Sequence, residues 1–477
     1  MKVSSFVRIG HELVPAEVEL SLTPGLPQFI FIGLPDAAQR ESALRVRAAI
    51  REQGFELPQA QAILVHIKPT FLKKTSRGLD LAIAAALLWE TGQLALPDGD
   101  DVLPCLYGEL TLKGEVVQPD DLIEAPEHNV MITTGLSRSP LSFATLQIKN
   151  LAELMTNGTL VAPIENFVFQ RPRLTVRELP APAAELAKVT AAGEHSLLLA
   201  GPSGSGKSTL ADQLASWIEA PTLEQIKEVR HFWSTKSEKL VWRPVLKPHH
   251  SITPLAMIGG GSSLWPGEIT RAHNGVLIMD ELLEFHPEIQ ESLREPVQSG
   301  LISLVRAGAS RTYPARVLLV ATTNLCACGN FVPRKKSIMS CRCAKAVRRR
   351  ILTRLTGPFV DRFALLALTD DWEKSTFVPV TEITESVERA IEFRKSRGQI
   401  VPNSRLAPEL LEESLSDFDR THILKSAARS RRRKSALLQV ARTLADLRLS
   451  KQINSEDLER ARALTVETHR TLEDWTD

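Results

Sequence analysis

The run Gly201-Pro202-Ser203-Gly204-Ser205-Gly206-Lys207-Ser208-Thr209 constrains this chain more than any other feature. It fits G-x-x-x-x-G-K-[ST], with apolar Leu197–Ala200 reading as a strand before it and a helix pattern after it. Glycines let main-chain N–H groups turn inward around phosphates, and a helix start adds positive potential. Lys207 is placed to reach the outer phosphates and Ser208 to give an oxygen to Mg²⁺. We therefore expect ATP with Mg²⁺ on an open α/β sheet.

Two further segments belong to such a sheet. Gly275-Val-Leu-Ile-Met-Asp280-Glu281 is an apolar strand ending in two carboxylates. On an adjoining parallel strand, Asp280 would hold Mg²⁺ and Glu281 would polarise the attacking water. Arg316-Val-Leu-Leu-Val-Ala-Thr-Thr-Asn324 ends in an amide placed to orient that water. Charge developing on the transferred phosphate needs a cation. Arg362, in Leu355-Thr-Gly-Pro-Phe-Val-Asp-Arg362-Phe, and Arg432, in Ser430-Arg-Arg-Arg-Lys, are candidates; surface ion pairs are the alternative for both.

The five cysteines do not form a secreted disulfide framework. Cys326-x-Cys328 and Cys341-x-Cys343 suit a tetrahedral structural Zn²⁺, with free thiols or a redox pair as the alternative; Cys105 stands alone and reads as core. Net charge is only +2, yet 334–350 holds eight Lys/Arg and no acid, and 425–451 holds nine with only Asp446. These clusters, at about three times the average basic density, suit a polyanion such as DNA, or are solvated helix faces. Gly259–Gly261, with Lys247, Trp265 and Arg271 nearby, reads as a loop that could touch such a strand. No apolar run approaches the ~20 residues needed to cross a bilayer, and the start lacks an apolar signal core, so a cytoplasmic protein with no membrane partner is expected.

Along the chain, 1–162 alternates strand-like and helix-like text, 163–184 reads as a proline-rich linker, 185–370 as the α/β core with a Cys-rich insert at 326–343, and 371–477 as helical.

Together these residues resemble the AAA+ ATPases of the magnesium-chelatase/MCM branch, in particular the ComM/YifB type. Beyond the motifs above, the likeness rests on Gly33-Leu-Pro-Asp36, Gly54-Phe-Glu-Leu-Pro58, Asp80-Leu-Ala-Ile83, Pro248-His-His-Ser251, Pro266-Gly-Glu-Ile269 and Val440-Ala-Arg-Thr-Leu-Ala-Asp-Leu447. The resemblance implies an AAA+ P-loop core with a C-terminal helical lid, after an α+β N-terminal domain like Lon protease and ribosomal protein S5. It implies a hexameric ring with Arg362 a finger on the neighbour's ATP and Arg432 a lid sensor, flanked by Arg431 and Arg433. It further implies ATP-driven branch migration of DNA in natural transformation, alongside recombination-protein partners. A chelatase-type motor remodelling a protein, or a nucleotide-dependent scaffold, is the alternative. Lys73-Lys-Thr-Ser76-Arg77 stands where Lon enzymes carry a Ser–Lys dyad; Ser76 is one position early, so a fold without peptidase chemistry is expected.

Overall fold

In the computed structural model the chain forms two compact units, Met1–Val168 with Arg230–Lys239, and Phe169–Val229 with Leu240–Asp477. The structure describes residues 1–9, 12–32, 36–68, 78–95, 105–119, 122, 132–136, 144–155, 159–161, 169–230, 232–233, 242–261, 264–306, 309–331, 341–355, 357–369, 372, 375–413, 415, 430–468 and 471. The Lys73–Arg77 segment and the lysines at 335 and 336 lie outside them.

In the first unit, β1 (Lys2–Ile9), β2 (Glu12–Pro24), β3 (Phe29–Ile32) and β4 (Gln61–Lys68) form a sheet in the order β1-β2-β4-β3. β3 runs parallel to β4, and the other two pairings are antiparallel. α1 (Asp36–Glu52) ends before Gly54, whose φ of +80° is the left-handed stop that a glycine supplies. α2 (Leu79–Glu90) is buried from Leu79 through Trp89, as its unbroken apolar text requires. Each of its fully buried leucines contributes about 1.5–3 kcal/mol of transfer free energy. Asp80, also fully buried, is held by Ser42 Oγ at 2.7 Å and Arg45 Nε at 2.6 Å, which ties α2 to α1.

The second unit is built on a five-stranded parallel sheet. Its strands are β5 (Leu197–Ala200), β6 (Val245–Leu246), β7 (Val276–Met279), β8 (Leu318–Thr323) and β9 (Leu365–Leu368), in the order β6-β7-β8-β5-β9. Every residue of β5, β7, β8 and β9 is buried, because helices and loops cover both faces of such a sheet. α3 (Ala181–Gly193) packs on α6 (Val380–Ser396) and α7 (Arg431–Leu447), joining Leu186 and Val189 to Ile383, Val387, Leu437 and Val440. α4 (Lys207–Gln213) follows the glycine-rich loop and α5 (Lys345–Leu355) follows the second cysteine pair. α8 (Ser455–Arg462) starts with a capping box: Asn454 accepts the Asp457 N–H at 2.8 Å and Asp457 accepts the Asn454 N–H at 3.0 Å.

Two differences from the sequence reading matter here. The end of the expected linker is ordered: Glu178–Pro180 pairs with Phe377–Pro379, and α3 begins at Ala181, where Pro182 suits the first helical turn. The Asp280 strand does not adjoin the loop strand either. β8 lies between them, so Asn324 leaves the sheet between the glycine loop and the carboxylates.

Candidate active site

The glycine loop leaves the C-terminal end of β5. Gly204 and Gly206 take φ of +77° and +84°, which only glycine adopts without strain, and they turn the loop into α4. A Cβ at Gly201 would fall 2.1 Å from Thr369 Oγ1, so glycine is obligatory there for space. Thr369, just beyond β9, also shares a 2.6 Å hydrogen bond with Ser205 Oγ. Lys207 is largely buried, its Nζ donating to the carbonyls of Gly201 (3.1 Å) and Pro202 (2.6 Å). Burial holds its pKa below the usual lysine range, and the charges of Asp280 and Glu281 offset part of that shift.

Asp280 follows β7 directly. Its Oδ1 accepts Ser208 Oγ at 2.9 Å and the Thr322 hydroxyl at 2.5 Å, and its Oδ2 meets Lys247 Nζ at 2.9 Å. Burial raises its pKa, but the bonds from Thr322, Lys247 and Ser208 outweigh that and hold the carboxyl below its ordinary range. Ser208 and Asp280 thus bring two oxygens together beside the loop, a donor set suited to a hard divalent cation. Glu281 has φ +57°, a left-handed conformation uncommon for a side-chain-bearing residue; its N–H donates to Thr322 Oγ1 at 3.1 Å and its side chain is exposed. Asn324 is half-buried one residue beyond Thr323, which pairs in register with Ala200.

Arg362 and Arg432 come together with each other and not with this loop. Arg362 precedes β9, so it stands at the N-terminal edge of the sheet, its Nε donating to the Arg294 carbonyl at 3.4 Å. Strands of four to six residues at ~3.3 Å per residue separate the two edges by roughly 13–20 Å. Arg432 bonds Asp361 at 3.0 Å and Gln298 at 2.7 Å. A cavity of about 420 Å³ opens there, lined by Arg316, Arg362, Arg405 and Arg432 with Gln298 and Asp361 among others. Burial, then the nearby Arg432 and Arg294, lowers the Arg362 pKa, as expected where cations outnumber anions. Arg433 is buried and structural: it bonds Asp361 Oδ1 (2.8 Å) and the carbonyls of Phe363 (2.9 Å) and Thr465 (3.3 Å).

The four sulfurs of Cys326, Cys328, Cys341 and Cys343 lie within 4.8 Å of one another. Hydrogen bonds from the Asn330 and Arg342 main chain hold the Cys328 thiol down to about 6, whereas burial pushes Cys326 up to about 12. Cys105 is buried core, as its isolation suggests.

Three family models cover most of the chain: magnesium chelatase, subunit ChlI, over 180–376; subunit ChlI of Mg-chelatase over 18–128; and magnesium chelatase, subunit ChlI C-terminal, over 379–465. The uncharacterized protein YifB of Salmonella typhimurium is 33% identical, across 95% of this chain and 94% of its own. The chain belongs to the YifB/ComM-type magnesium-chelatase-like family. Competence protein ComM of Haemophilus influenzae is 29% identical across 94% of both chains, and YifB of Escherichia coli 32% across 95% and 94%. The magnesium-chelatase-like family carries an AAA+ fold with a C-terminal domain, and the parallel sheet with its C-terminal helices fits that description.

Lys247, expected near a strand-contact loop, instead lies beside the glycine loop, bonding Asp280 and, at 3.2 Å, Asp212. Arg271 pairs with Glu268 at 2.7 Å. Sequence reasoning missed Lys247, Thr322 and Thr369 as site members; the only local hint was their place at strand ends. Of the basic run 425–451, Arg432, Arg433, Lys434, Arg442 and Arg448 pair with Asp361, Glu412, Asp446 and Asp457, while Lys425 and Arg429 lie outside the described residues. Of the first cluster, Arg342, Lys345, Arg349 and Arg350 are exposed on and before α5. Among the described residues, no helix is long and apolar enough to cross a membrane.

Proposed function

We propose that this chain is an ATP-hydrolysing ring motor, a homo-oligomer of the hexameric kind, that acts on single-stranded or branched DNA in the cytoplasm. The observation that carries the ATPase reading is Asp280, bound to Ser208 and placed beside Glu281 at the mouth of the glycine loop. Gly201–Thr209 bind the phosphates and Lys207 offsets their charge. Mg²⁺, held by Ser208 and Asp280, would polarise the outer phosphates. Glu281 takes the proton of the attacking water and Asn324 orients that water.

Arg362 and Arg432 serve the ATP of a neighbouring copy, because their cavity opens at the sheet edge away from their own loop. Arg432, whose side chain is 36% exposed, is the sensor, and buried Arg433 is its anchor. The exposed basic face of α5 supports DNA contact, which would make binding strongly salt-dependent. We assign the region 1–162 a Lon-like, S5-like fold without peptidase chemistry, the region 185–370 the ATPase core and the region 371–477 the lid. The cysteine quartet is assigned to structural Zn²⁺. Branch migration for strand integration, beside recombination proteins, is the task this reading favours. The three chelatase-subunit matches favour a second one, remodelling of a protein partner without stimulation by DNA.

The test is ATP turnover with and without forked or three-stranded DNA, in the wild type and Glu281→Gln. We expect DNA to stimulate the wild type. The variant should keep nucleotide binding and lose about 10²–10⁴ in rate, the range for a general base. Turnover that ignores DNA but responds to a protein partner would select the chelatase reading; absence of turnover in the wild type would end both.

A further inference from the structure

The cysteine quartet is joined to the nucleotide loop through the main chain. Gly329 N–H donates to the Cys326 carbonyl at 3.0 Å, closing a turn, and the Gly329 carbonyl accepts the Ser203 N–H at 2.7 Å. Ser203 is the third residue of the glycine loop. The contact is close: a Cβ at Gly329, which has φ +74°, would lie 3.1 Å from Ser203 Cβ. Cys326 also follows Asn324 by two residues, so the same turn fixes the exit of β8.

The turn is held from its other side by the sulfurs. Cys326 Sγ lies 3.4 Å from Cys328 Sγ and 3.7 Å from Cys341 Sγ, and Cys328 lies 3.7 Å from Cys341. A tetrahedral thiolate site with bonds of about 2.3 Å needs sulfur–sulfur edges of about 3.8 Å, so the spacing is already that of a metal site. The Phe331 N–H points at Cys326 Sγ at 3.2 Å, an amide donor of the kind that stabilises a bound thiolate. Four thiolates this close repel one another unless a cation sits among them.

We propose that a soft divalent metal in the Cys326–Cys328–Cys341–Cys343 centre controls nucleotide affinity, by holding the Cys326–Gly329 turn against the Ser203 N–H of the glycine loop. With metal, two cysteines from each segment clamp the turn and the loop is pre-shaped. Without it, the turn is released, and the loop must be ordered by the nucleotide itself at a cost in affinity. The proposal rests on reading 201–209 as the nucleotide cradle.

The test uses the full chain, stripped of metal with an organomercurial, returned to reductant and rebuffered with Mg²⁺, then reloaded with one equivalent of Zn²⁺. The readouts are zinc content, far-UV circular dichroism and the dissociation constant of a fluorescent ATP analogue. We expect the dissociation constant to rise about tenfold on stripping, as for a lost hydrogen bond and loop order, and to return on reloading. Gly329→Val should keep its zinc and show the same weakening, since a branched side chain fits neither the φ nor the 3.1 Å gap. Equal affinity in stripped and loaded protein, unchanged affinity in zinc-loaded Gly329→Val, or a folded chain that takes up no zinc would each overturn the proposal. Loaded wild type that binds no nucleotide would overturn the cradle reading instead.

Discussion

At the C-terminal edge of the five-stranded sheet, glycines, hydroxyls and two carboxylates surround a loop with one buried lysine. At the N-terminal edge of the same sheet, arginines crowd a cavity with few anions. One edge suits the grip and attack of a phosphate, the other the neutralisation of its developing charge. Under the proposed function both serve a single step, yet the sheet holds them apart. In the ring motor proposed above, this contrast gives one copy of the chain two half-sites, each completed by another copy.

The largest test of that contrast mixes two inactive variants. Lys207→Ala should lose nucleotide binding, and Arg362→Ala should keep it while turnover falls by 10³ or more, the scale of an arginine finger. An equal mixture should recover about a quarter of wild-type turnover, because interfaces pairing an intact loop with an intact finger form again. A mixture as inactive as its components would mean that each chain uses its own arginine.

The next test separates neighbours on α7. Arg433→Ala leaves the buried carbonyls of Phe363 and Thr465 without this donor and Asp361 with Arg432 alone, and should cost about 2 kcal/mol in urea unfolding. Arg432→Ala, at a more exposed ion pair, should change stability by under about 0.5 kcal/mol while lowering turnover. Reversal of the two effects would exchange their roles.

The smallest effect concerns the seam behind the arginine edge. His195 is fully buried, its Nε2 2.7 Å from Thr443 Oγ1 on α7, and burial pushes its pKa down to about 3. The unfolded chain takes up that proton near pH 6.5 and the folded one does not, so stability is complete above 6.5 and falls as the pH drops toward 3. Between pH 7 and 5.5 His195 alone should lower the unfolding free energy of the second unit by about 1 kcal/mol, and buried His273, held down to about 4, adds to the same slope. His195→Gln should remove its share of that slope; an unchanged slope would place the proton uptake elsewhere.

The glycine loop, the buried parallel strands, α2 and the clustered cysteines were legible because each is set by neighbours in sequence, through glycine conformation, apolar runs or short ligand spacing. Strand order was not. Nothing local in Val276–Met279 says that β8 will pair beside it and keep it from β5. Partners far apart in the chain were equally hidden: Lys247 finds Asp280, and Arg433 finds Asp361 across 72 residues. Three consecutive arginines read alike until the helix decides which faces inward.

Glu281 holds its main chain at φ +57°. A non-glycine residue there costs about 1 kcal/mol or more, which glycine would relieve. With the base role proposed for Glu281, position 281 sets robustness against speed: the glycine that would relax its backbone also deletes its carboxylate, so screening variants for heat resistance alone would steer this protein toward inert versions of itself.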